Sequence, residues 1–169
     1  MTFVAKSDLT LRSPRPVDVP TLFNLIKALA DYENLSHTVT GTVTELEAHL
    51  FGNPPLVEAV MAEVNDRAVG FALFFSNYST FLTRPGLYLE DLFVLPDYRR
   101  LGIGKAMLKY LARLAVERGC GRLEWSVLDW NAPAISFYEK MGATVLPDWR
   151  ICRTTGDALL AMAAPEGPN

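Results

Sequence analysis

The sequence predicts an α/β protein: a mixed central β-sheet flanked by helices on both faces, with elements in the order βααβββαβαββ. Three observations carry this expectation. First, Leu87–Leu95 is an apolar strand that turns at Pro96-Asp97 into Arg99-Arg100-Leu101-Gly102-Ile103-Gly104, and the stretch KAMLKYLARLAVERG after it has the apolar spacing of a helix. Second, Arg122–Leu128 reads as a strand, so that helix is a crossover between two parallel strands. Third, Val57–Val64 and Ala68–Phe75 are apolar runs joined by Asn65-Asp66-Arg67, which reads as an antiparallel hairpin. Parallel and antiparallel pairs together make the sheet mixed.

The elements follow in order. Leu9–Arg12 is a short strand. Asp18 stands where a helix cap is wanted, Pro20 suits the first turn, and Leu22, Phe23, Leu25, Ile26, Leu29 and Ala30 recur at helical spacing up to Tyr32. Thr44-Glu45-Leu46-Glu47 has the form of a capping box and opens a second short helix through Leu50. The long helix Gly104–Arg118 lines up Ile103, Met107, Leu108, Leu111, Leu114 and Ala115, and Gly119 stops it. Ala132–Met141 is a helix ending at Gly142, Thr144–Leu146 and Arg150–Thr154 are strands, and Asp157–Met162 is a short final turn or helix. No repeat or linker interrupts the chain. A single domain over residues 1–169 is expected, with a core of about residues 9–163 and frayed ends at Met1–Asp8 and Ala164–Asn169.

Composition sets bounds on function. Half of the residues are hydrophobic and the net charge is −3, which argues against a nucleic-acid partner and suits a small cationic one. Cys120 and Cys152 form no metal-site spacing; they read as reduced thiols in a packed interior, in keeping with a reducing compartment. No run approaches the ~20 apolar residues that span a bilayer, and MTFVAKSDLTLRS lacks the layout of a signal peptide. A cytoplasmic protein that engages no membrane is expected. His37 and His49 are isolated, and no metal site is expected.

A strand feeding a glycine-containing loop at a helix N-terminus presents unpaired N–H groups to an anion, with the helix dipole behind them. Arg99, Arg100 and Lys105 add positive charge there. Commoner phosphate loops do not fit. A Walker A loop would need Ser or Thr after Gly104-Lys105, where Ala106 stands, and a glycine where Arg99 stands. A dinucleotide fingerprint would need a third glycine where Met107 stands. A purely structural two-glycine turn is the remaining rival, and the residues downstream weigh against it.

Those residues are Leu128-Asp129-Trp130-Asn131-Ala132-Pro133-Ala134-Ile135-Ser136-Phe137-Tyr138-Glu139-Lys140-Met141-Gly142-Ala143. Together with the Arg-x-x-Gly-x-Gly loop they resemble the GCN5-related N-acetyltransferases (GNAT). LIKALADYE, LYLEDLFV and LDWN-x-P further resemble the diamine (spermidine/spermine) N-acetyltransferase subgroup, over Leu25–Glu33 and Leu87–Ala143. The resemblance implies acetyl-CoA as cosubstrate, direct attack by the amine in a ternary complex, a small cationic amine as partner and a homodimer.

Acetyl transfer to an amine needs the amine neutral, although its pKa is about 10.4, and needs the leaving thiolate protonated. Glu90 is the candidate for drawing off the amine proton and holding the cation. Asp91 points to the other face if the strand is regular. The resemblance implies that the backbone of Leu92, Phe93 and Val94 meets the pantetheine arm and that Arg99 to Lys105, through Leu101, Gly102, Ile103 and Gly104, meets the pyrophosphate. It also implies that Asn131, with Ala132, Pro133 and Ala134, lies beside the cofactor and that Tyr138 is the general acid for the thiolate. Tyr32, Glu33, Glu124, Trp125, Ser126 and Trp149 are the implied substrate contacts, carboxylates and aromatic faces that suit an alkylammonium. Where the subgroup carries a longer, acid-rich loop, this chain has ATVLPD with only Asp148, which leaves short diamines and thialysine-like amino acids open. The alternatives are a protein or peptide N-acetyltransferase and a non-catalytic acyl-CoA-binding module.

Overall fold

The computed structural model describes residues 9–165, so of the ends expected to fray all of Met1–Asp8 and, within Ala164–Asn169, residues 166–169 lie outside the described residues. The described chain divides into two compact units, residues 9–126 and residues 127–165.

The first unit is built on a five-stranded sheet in the order β1 (Leu9–Arg12), β2 (Glu58–Val64), β3 (Arg67–Ser79), β4 (Arg84–Val94), β5 (Leu123–Trp125). Every pair is antiparallel except β4 with β5, which is parallel. The β2–β3 turn is tighter than expected: Asn65 and Asp66 both take positive φ (50° and 60°), the two-residue geometry that matches strand twist, and Arg67 already belongs to β3.

On one face lie α1 (Val19–Tyr32) and α2 (Val43–Phe51). Val19, Leu22, Leu25 and Leu50 pack there with Ala59, Phe71, Leu73 and Phe93 in one buried cluster. Alternation sends Val60, Ala72 and Phe74 to the opposite face. There the parallel crossover α3 (Ile103–Glu117) buries Ile103, Met107, Leu108, Leu111 and Ala115 and neighbours β2 through β5. Each such large side chain contributes about 1.5–3 kcal/mol when fully buried.

Two caps differ from the sequence expectation. The capping box of α2 is Thr42 with Glu45, two residues before Thr44: the Glu45 N–H donates to Thr42 Oγ1 at 3.2 Å and the Thr42 N–H to Glu45 Oε2 at 2.9 Å. Starting at Val43 lets the helix include a half-buried apolar residue in its first turn. Asp18 does stand at the N-cap of α1, but its carboxylate accepts from Arg12 (2.7 and 3.0 Å) rather than from the helix. Arg12 also donates to Glu63, which ties β1 to β2 and to the entrance of α1.

The second unit holds α4 (Ala132–Lys140) and α5 (Gly156–Ala163). The strands expected at Thr144–Leu146 and Arg150–Thr154 are absent, and those residues have no regular structure. Strand propensity without a ladder partner or a buried face does not hold a strand, and Val145, Leu146, Trp149 and Ile151 are all exposed. Cys152 is exposed too and Cys120 half-buried, so the pair does not sit in a packed interior as expected. Without the last two strands, β4 lies next to the edge of the sheet rather than at its centre. Among the described residues, no helix is long and apolar enough to cross a membrane.

Candidate active site

The loop between β4 and α3 has the geometry of an anion cradle. Arg99 is extended (φ −70°, ψ 160°), Arg100 has φ +64°, and Gly102, the N-cap of α3, has φ +83°. A Cβ on Gly102 would meet nothing within 4 Å, so conformation and not space calls for glycine there. Arg100 holds a left-handed conformation without that freedom, at a cost of roughly 1 kcal/mol. The N–H groups of Gly102, Ile103, Gly104 and Lys105 have no acceptor among the described residues; the Ala106 N–H is the first to bond, to the Gly102 carbonyl at 2.9 Å. Those donors end a 15-residue helix whose dipole is positive at this end. Buried Ile103 anchors the turn in the core, while Arg100, Leu101 and Lys105 are exposed around it.

Beside the loop, β4 has an edge with no strand paired to it beyond Leu89 among the described residues of this unit. Pairing with β5 covers only Leu87, Tyr88 and Leu89, so β5 stops at Trp125 instead of continuing to Leu128 as expected. The reason lies in β4. Leu73 pairs with Asp91 but Phe74 with Leu89, which leaves Glu90 as a bulge, and a bulge bends its strand and disrupts the ladder. Beyond it, backbone alternation decides what the edge offers. The Leu95 N–H donates to Val69 on β3 at 2.9 Å, so Phe93 turns its N–H and carbonyl toward β3 as well, and Leu92 and Val94 turn theirs to the unpaired edge. Of the three residues expected to meet the pantetheine arm, Leu92 and Val94 have main-chain groups facing that way.

The bulge also sets the face of Asp91. It places Asp91 opposite Leu73, on the α1 and α2 face, where it senses the charges of Glu90 and Glu33. Burial first, then Glu90, then Glu33 push the Asp91 carboxyl up to about 6. Glu33, at the C-terminal cap of α1, is also raised, by burial. None of the three acids has a basic ion-pair partner among the described residues. The expectation for Asp91 assumed a regular strand, and Leu87, Leu89 and Phe93, all odd-numbered, mimic an unbroken alternation. Their burial on two different faces is the signature of the bulge, and sequence spacing does not show it.

Tyr32 reaches this region with a ring face already taken: the Arg99 guanidinium carbon lies 4.3 Å from its centroid. On β5, Glu124 stands level with Tyr88 and Trp125 level with Leu89. Glu124 and Ser126 therefore share a face, and Trp125 points to the other. Ser126 Oγ lies 2.9 Å from the Tyr88 hydroxyl, and Glu124 lies 3.4 Å from Arg122 Nε. Tyr88 is a neighbour of Ser126 that only cross-strand register reveals, whereas Arg122 lies two residues from Glu124 along the chain.

In the second unit, Asn131 caps α4: its Oδ1 accepts from the Ala134 N–H at 3.3 Å, with Ala132 and Pro133 in the first turn. The carboxamide NH2 of Asn131 is left as a donor. Tyr138 sits two residues before the end of α4, its ring 5.2 Å from that of Phe137. Trp149 is 75% exposed.

An unpaired strand edge, an anion cradle and an acid group on one unit agree with what comparison with known proteins finds. The sequence pattern of the acetyltransferase (GNAT) family matches residues 25–143. The chain belongs to that family. GNAT enzymes take their acetyl group from acetyl-CoA, and this member is an acetyltransferase acting on amines. It is 37% identical over 197 residues to L-ornithine N5-acetyltransferase NATA1 of Arabidopsis thaliana, covering 90% of this chain and 86% of that one. It is 35% identical over 164 residues to thialysine N-epsilon-acetyltransferase of Bos taurus, covering 90% and 96%. In fold it is similar to integron cassette protein VCH_CASS6 from the mobile metagenome of V. cholerae, with a TM-score of 0.78 and 24% identity over 94% of this chain and 99% of that one.

Proposed function

We propose that this GNAT enzyme acetylates the primary amine of a small cationic substrate, a short diamine or polyamine or a thialysine-like amino acid, by direct attack on acetyl-CoA in a ternary complex. The observation that carries the reading is the group Glu33, Glu90 and Asp91, three carboxylates with no basic ion-pair partner among the described residues, beside the unpaired end of β4. Such a group attracts an ammonium and is relieved of mutual repulsion by it. Glu90, exposed on the bulge, takes the ammonium proton directly or through water. The neutral nitrogen then attacks the thioester carbon; the C–N bond forms and the C–S bond breaks. Tyr138 gives the thiolate its proton and is restored by the one the amide nitrogen sheds. The amides of Gly102 to Lys105 hold the pyrophosphate, and Asn131 holds the arm. The short ATVLPD stretch, with one acid, favours a short acceptor, as do the L-ornithine and thialysine in the names of two relatives. Both units serve one domain in this reading, because the family match runs across their boundary. We further infer a cytoplasmic homodimer, by family analogy.

A coenzyme A release assay over putrescine, spermidine, ornithine, thialysine, lysine and a histone-like peptide tests the substrate. Release with one or more of the small amines is expected; release with the peptide alone would replace this reading by a protein acetyltransferase. Tyr138→Phe should cut turnover strongly while coenzyme A binding persists, and wild-type turnover in that variant removes Tyr138 from the mechanism.

A further inference from the structure

Arg99 opens the glycine loop, yet its side chain turns back from it. Its Nε donates to the Val94 carbonyl at 3.0 Å, and its guanidinium lies 4.3 Å from the Tyr32 ring centroid and 5.6 Å from that of Phe93. A planar cation stacked on one ring and bonded to a carbonyl is fixed in both direction and tilt. The contacts join three elements: the loop, the end of β4 and the last residue of α1. Tyr32 precedes Glu33, whose charge reaches Asp91.

We propose that Arg99 is a positioning residue: its side chain clamps the Tyr32–Glu33 end of α1 against the end of β4, and so holds the acceptor pocket in register with the donor loop, instead of binding phosphate. The consequence for the acceptor rests on the amine site proposed above; the clamp itself does not. The Val94 carbonyl is occupied by Arg99, which leaves the Val94 N–H and both main-chain groups of Leu92 for the pantetheine arm.

The test combines steady-state kinetics of R99Q, R99K, Y32L and the double variant R99Q/Y32L with hydrogen exchange of the amides of residues 29–35. R99Q, R99K and Y32L should each raise the amine KM by about tenfold, with the acetyl-CoA KM within about threefold. The double variant should be no worse than the worse single one, because both remove the same contact. R99Q should speed exchange at residues 29–35. A rise confined to the acetyl-CoA KM would make Arg99 a phosphate ligand. Additive effects, or unchanged exchange, would dissolve the clamp. Should the wild type release coenzyme A with no amine at all, the proposed function fails, and exchange in R99Q still decides the clamp.

Discussion

Residues 9–126 and residues 127–165 are held by different physics. The first unit buries apolar side chains on both faces of its sheet, Phe71 and Leu73 toward α1 and α2, Met107 and Leu111 from α3. In the second unit Asn131 alone among the described residues is buried, and Leu159, Leu160 and Met162 of α5 are exposed. Its helices rest on local devices: an Asn cap and Pro at α4, and an acid in the first turn of α5. Local signals are enough to place a helix. They do not make a strand, which needs a neighbour, and the two expected strands are missing from the unit without a core.

The comparison can be broken by substitution. Phe71→Ala should lose about 3–5 kcal/mol of unfolding free energy in urea melts, whereas Leu160→Ala, at a position 71% exposed, should change it by less than about 0.5 kcal/mol. A large loss at Leu160 would mean that the second unit has a burial of its own.

Arg12→Met probes the polar seam of the first unit. Arg12 holds the Asp18 carboxyl well below the usual carboxylate range, chiefly through their hydrogen bonds. A depressed acid contributes stability that is present above its unfolded pKa of about 4 and is lost as pH falls through the folded value. The variant should lose about 2 kcal/mol at pH 7, since the partly exposed pair is partly screened. Its stability should also vary less below pH 4. Equal acid sensitivity in both proteins would assign the acid limb elsewhere.

Asp91 has the opposite sign. Its folded pKa of about 6 lies above the unfolded value, so its contribution is full below pH 4 and disappears as pH rises through 6. Asp91→Asn should therefore be more stable than wild type at pH 7, by about 2 kcal/mol, while its amine KM rises. No gain at pH 7 would show that the acids are already neutralised.

The smallest effect belongs to the second unit. Asn131→Ala should weaken α4 by about 1 kcal/mol, seen as faster hydrogen exchange at residues 134–138 with little change in the melting of the first unit. Loss of both together would join the two units into one cooperative block.

The glycine loop of the candidate site was legible because its signals are local. Arg99 to Lys105, between a strand and a helix, specifies a loop without reference to anything distant, while the cap that Asn131 makes on α4 was not read from the sequence. Leu87–Leu95 was legible as a strand, but its phase was not. Glu90 and Asp91 are adjacent letters, and which of them meets Glu33 depends on how β3 pairs with β4 across the bulge. Tyr88 with Ser126, and Arg99 with Tyr32, are contacts between residues tens of positions apart with no mark in either segment.

By itself, the order of amino acids determined the helices, the glycine loop at the start of α3 and the family to which they belong, since backbone conformation and capping are settled within a few residues. Only the tertiary structure decided that β4 breaks step at Glu90, that its edge has no paired strand beyond Leu89 among the described residues of its unit, and that three carboxylates gather there. Strand register, edge exposure and the field on a buried acid are set between elements, by pairing and burial that no single segment encodes.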